Sequence, residues 1–171
     1  MLMLAYGILR WIDGLDGHRK GGPAWNLGHT AFFIAIVLFA VLAVALRRII
    51  RDESPSRRPV ADAAAAATLL GAVCFLWVIL GDLFADLRDA APLPGALELT
   101  GPVLFQFGIL TLLSLLVIAR PRRLPAWSPL LVLLGFATIA ATLDLLPLGS
   151  ILVGAGLVPL AIPASRRSRL R

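Results

Sequence analysis

Long apolar runs without Asp, Glu, Lys or Arg alternate with short breaks rich in proline, glycine and charge. The uncharged runs are Leu27–Leu46, Ala63–Gly81, Leu99–Ala119, Leu124–Leu143 and Leu145–Ser165. Each is about 19–21 residues, the length a helix needs to cross about 30 Å of hydrocarbon. A closed β-barrel is the other structure that satisfies its backbone in lipid, and it would alternate polar and apolar positions. These runs are continuously apolar, so the chain reads as all-α, a polytopic transmembrane helical bundle. The predicted spans are 27–46, 61–83, 99–119, 126–146 and 149–165, in a single integral membrane domain covering 1–171.

The breaks carry stop chemistry. Gly21-Gly22-Pro23 precedes the first span, and Pro55 and Pro59 separate the first from the second. Pro92 and Pro94, Pro121 and Pro125, then Pro147 mark the later breaks. Proline lacks the N–H donor and clashes inside a helix, so these positions favour helix ends. Pro159 and Pro163 make the last span the least regular, either kinked or entering the membrane without crossing it. The first twelve residues are apolar apart from Arg10 but reach only about 18 Å as a helix. Two readings stay open for them. They lie in the interface with Tyr6 and Trp11 at headgroup level, or they are the outer half of a sixth span that begins upstream.

Composition agrees with the pattern. The chain is 59% hydrophobic and 15% charged, against about 45–50% and about 25% for an ordinary soluble domain. That excludes disorder, a disulfide scaffold and a nucleic-acid partner. Cys74 is the one cysteine and reads as a packing residue. The bases are arginine with the exception of Lys20, and with so much alanine this points to a GC-rich bacterial genome.

The net charge of +6 changes meaning once it is mapped. Arg47, Arg48, Arg51, Arg57, Arg58, Arg120, Arg122, Arg123, Arg166 and Arg167, with Arg169 and Arg171, fall at alternate ends of the helices. Asp13, Asp16, Asp82, Asp86, Asp89, Glu98 and Asp144 fall at the opposite ends. Cytoplasmic loops carry the excess Lys and Arg. The expected address is therefore a bacterial inner (plasma) membrane, multi-pass, with the arginine-rich loops and the C-terminus cytoplasmic. The partners expected are the lipid bilayer and a membrane protein or a second copy.

Ionisable groups at membrane depth are costly and are default site candidates. His29, Asp82, Gln106 and Asp144 are expected at or just below the outer boundary, converging into an outward-facing polar pocket. Asp86 joins them if Asp82, Asp86 and Asp89, spaced i, i+4, i+7, share one helical face. The blander reading is a solvated acidic rim. The stripes Ala63, Ala67, Gly71 and Ala137, Ala141 are candidates for close helix packing. Asp13-Gly14-Leu15-Asp16-Gly17-His18 lacks the spacing of a calcium loop, and no zinc, phosphate-loop or nucleophile motif occurs. No cofactor or metal is expected, and nothing marks an enzyme. The functional reading is a structural or accessory protein acting through partners or lipids. The alternative is a small transporter or channel using the polar pocket.

Overall fold

The computed structural model describes residues 1–15, 22–119 and 122–161. Among these it contains seven α-helices, two 3₁₀ turns and no strand. They are α1 (Leu2–Asp13), α2 (Pro23–Glu53), α3 (Arg58–Leu83), α4 (Ala85–Ala90), α5 (Gly95–Val117), α6 (Trp127–Ala141) and α7 (Leu146–Ala161). The stretches Pro23–Glu53, Pro55–Leu83, Gly95–Val117 and Leu143–Ala161 are long and apolar enough to cross a membrane. Of the expected arginine positions, Arg120, Arg166, Arg167, Arg169 and Arg171 lie outside the described residues, as do Asp16, His18, Arg19, Lys20 and Pro163.

The prolines start helices more often than they end them. Pro23 occupies the first turn of α2 and Pro59 that of α3, where a missing N–H costs nothing. Pro147 likewise lies in the first turn of α7, so the last span begins earlier than 149. The fourth span is shorter than expected, because α6 ends at Ala141. Thr142 is extended and its hydroxyl accepts from the Asp144 N–H, which opens a 3₁₀ turn over Leu143–Leu145. At 15 residues, α6 is about 22 Å long. Pro159 stays inside α7, which runs on to Ala161.

Small residues set the helix crossings, as expected in lipid, where close backbone packing replaces the hydrophobic drive. α3 and α5 meet through Thr68, Gly71 and Cys74 on one side and Gly101, Phe105 and Gly108 on the other. A Cβ at Gly71 would fall 2.4 Å from the Gly101 carbonyl oxygen, and one at Gly108 2.3 Å from Thr68 Oγ1. The packing face of α3 is Ala61, Ala64, Ala65, Thr68 and Gly71, so of the predicted stripe Gly71 is buried while Ala63 is exposed. On α6 the face is Ser128, Val132, Gly135 and Phe136, and Ala137 and Ala141 are exposed. Gly135, Gly149 and Gly156 bring α6 and α7 together, and the Ser128 hydroxyl donates to the Gly156 carbonyl.

α1 does not lie flat at an interface. It packs between α2 and α7, with Gly28 against Tyr6 and Leu9, and Gly7 against Leu146 and Pro147. Tyr6 is buried and stacks on Phe32 at 4.6 Å, which makes α1 antiparallel to α2.

The two ends of the bundle differ in charge. At one end Arg47 and Arg51 bind Asp62 at 2.7 and 2.6 Å, and Arg123 pairs with Glu53. Arg57 donates there to the Ile118 carbonyl, tying together the loops around α5 and α2. At the opposite end three tryptophans tie the helix ends. Trp11 donates to the Asp144 carbonyl, Trp25 to that of Asp82 and Trp77 to that of Ala91.

Candidate functional site

At the tryptophan-tied end a cavity of about 240 Å³ runs down between α1, α2, α3 and α5, with α6 and the start of α7 closing one side. Its mouth carries Tyr6 and Arg10 from α1, His29 from α2 and Asp82 from α3. Its shaft is aromatic, with Phe32, Phe75, Phe105 and Phe136 on the wall, and the Gln106 amide joins it from α5. These rings meet edge to face at 5.4–6.1 Å, the arrangement their quadrupoles prefer. These contacts brace the wall of the shaft.

His29 is the most enclosed polar group of the mouth, 2% exposed. Its Nδ1 lies 2.9 Å from the Trp25 carbonyl oxygen one turn earlier. A carbonyl only accepts, so Nδ1 carries the hydrogen. Nε2 then points at Asp82 Oδ2, 3.6 Å away. That is ion-pair range but too long for a direct hydrogen bond. The two atoms attract each other only when one of them holds a proton. Trp25 tilts over the imidazole at 3.9 Å and Tyr6 meets it edge-on at 5.1 Å, so the ring is fixed on both sides. On its solvent side Asp82 has Arg88 Nη1 at 4.0 Å, and Arg88 also reaches Asp89 at 3.9 Å.

Arg10 is the residue that sets this end apart from ordinary packing. Its guanidinium adjoins the Tyr6 hydroxyl. Its Nε–H is buried without a hydrogen-bond partner among the described residues. An orphaned buried donor costs about 1–3 kcal/mol, more when the group is charged.

The structure brings His29, Asp82 and Gln106 onto one cavity and leaves Asp86 and Asp144 off it. Asp86 is exposed on α4. The i, i+4, i+7 face does not form, because Phe84 is extended at φ −127°, ψ 94° and its N–H closes α3 on Leu80. Asp144 is exposed, and its contribution is the backbone carbonyl that accepts from Trp11. Gln106 lies deeper than expected. α5 starts at Gly95 rather than at Leu99, so the amide is about 16 Å from the helix start. Trp25 is buried and holds α2 to the end of α3.

Tyr6 and Arg10 were not among the predicted site residues. Their signal was present: an arginine one helical turn after a tyrosine, alone in an apolar helix, puts two polar tips on one face. Among the described residues no three His, Cys, Asp or Glu side chains come together as a metal site. Comparison with protein-family models, with curated proteins and with solved structures returned no match.

Proposed function

We propose that this chain is an integral membrane protein that binds a small polar-headed ligand in the cavity between α1, α2, α3 and α5. The observation that carries the reading is the partnerless Arg10 Nε–H at a mouth shared with Tyr6, His29 and Asp82. A packing core would have satisfied that donor or excluded it. The His29–Asp82 pair adds a donor or an acceptor according to where its proton sits, and Gln106 adds an amide deeper in the shaft. An accessory role exercised through lipids or partners follows from such a site. Binding is favoured over passage, because the α3–α5 seam is closed by backbone contact and the spans below the mouth hold no charge. The arginine distribution supports a bacterial inner membrane with the C-terminus cytoplasmic and the cavity opening on the other side.

The test is native mass spectrometry of the detergent-solubilised full chain. The wild type is expected to carry a small-molecule adduct that is lost in Arg10→Met and weakened in Gln106→Leu, with the helical spectrum kept in both. Identical spectra for the three folded proteins contradict the reading.

A further inference from the structure

A second cavity opens beside the first. It is an apolar groove of about 360 Å³ between the start of α1, the middle of α2 and α7. Leu38, Phe39 and Leu42 form one wall and Val153, Gly154 and Leu157 the other. Met3 lines both cavities. Methionine is unbranched and has three rotatable bonds, which lets its side chain move. The groove holds one polar oddity. Ser150 Oγ is buried, lies on its wall and has no hydrogen-bond partner among the described residues.

We infer that the two cavities form one site for a phospholipid of the surrounding bilayer with a primary-ammonium, ethanolamine-type head. The inference rests on the cavity being a ligand site, as proposed above. Its depth profile matches such a molecule. The polar mouth lies at the helix ends, where headgroups are, and shaft and groove descend into the apolar belt. The head is identified by charge. Arg10 brings positive charge to the mouth and Asp82 brings negative charge, with Arg88 and Asp89 on the outer side of Asp82. That mixture suits a zwitterion better than an anion. The lipid phosphate supplies the acceptor that Arg10 Nε–H lacks, a charge-assisted bond of the kind arginine makes best. The ammonium donates to Asp82, which a quaternary ammonium cannot do. Ser150 lies one helical turn below Leu146 at the mouth, at a depth where an ester carbonyl beneath the head accepts from its hydroxyl. The tail then passes Met3 and fills the groove.

The groove can be narrowed without touching the mouth. Gly154 lines the groove and a Cβ there meets nothing within 4 Å, so Gly154→Phe leaves the backbone in place and is expected to narrow the groove. Native mass spectrometry with equal amounts of palmitoyl-oleoyl phosphatidylethanolamine and phosphatidylglycerol reads the outcome. The wild type is expected to keep the ethanolamine lipid over the glycerol lipid by about five-fold. Gly154→Phe is expected to lose that adduct, while glycerophosphoethanolamine, the same head without tails, still raises its melting temperature as in the wild type. Retention of the lipid by Gly154→Phe, or equal binding of the two lipids to the wild type, overturns the inference while leaving a ligand cavity standing. Failure of Arg10→Met to weaken either the lipid or the head fragment overturns both.

Discussion

α3 borders two regions of opposite packing, a closed seam with α5 and an open cavity. At Thr68, Gly71 and Cys74 the two helices are so close that no Cβ fits between Gly71 and the Gly101 carbonyl. Toward the tryptophan-tied end α3 goes on with Phe75, Val78 and Asp82, which line a cavity shared with α1, and Phe105 of the seam turns its ring onto the same cavity. Side-chain size alone turns a backbone seam into a walled chamber. The seam spends small residues on van der Waals contact, the main attraction between helices in lipid. The chamber holds a buried arginine donor with no partner among the described residues, which stability alone would not select.

Substitutions separate the two regions, and the largest effect belongs to the seam. Gly71→Leu puts four extra carbons where the Gly101 carbonyl and the Phe105 N–H already sit. The cost is expected at about 3 kcal/mol or more, read as loss of the folded species in size-exclusion and denaturant titration. A folded Gly71→Leu protein with wild-type stability would break the distinction. Gly108→Ala is milder. Its Cβ meets Thr68 Oγ1 and the Ala64 carbonyl, and about 1–3 kcal/mol is expected in the same titration. At the other end, Trp25→Phe removes one donor from the Asp82 carbonyl and is expected to cost about 1 kcal/mol. Because Trp25 also braces His29, this variant should weaken ligand binding more than its stability loss explains. If binding and stability fall in proportion, the mouth is packing and not a site.

The spans were legible because a charge-free run of about 20 residues has few other physical meanings. The packing faces were not. The alanine run over residues 63–67 allows several registers, and Thr68 and Gly71 choose one only together with the glycines of α5. His29 and Asp82 stood out as polar groups at the ends of apolar runs, and both line the cavity. Asp86 misled because the break at Phe84 carries no glycine or proline, so nothing in its type announces the turn between α3 and α4. Asp144 misled because a helix expected to run to 146 stops at Ala141. Arg10 and Tyr6 were hidden by the shortness of α1, whose place between α2 and α7 depends on Gly7 and Gly28, far apart in sequence from what they touch.

The central claim is that this end of the bundle encloses a reachable polar chamber while the crossings elsewhere are shut. Thiol labelling in a Cys74→Ala background tests it most directly. Gln106→Cys faces the shaft and Val132→Cys faces the α6–α7 seam, where Val132 is 0% exposed. With a small water-soluble thiol reagent on the folded protein, Gln106→Cys is expected to react at least about tenfold faster than Val132→Cys, with Arg10→Met leaving that ratio unchanged. Equal protection of the two cysteines would mean that the chamber is closed to ligands, contrary to the account given for it.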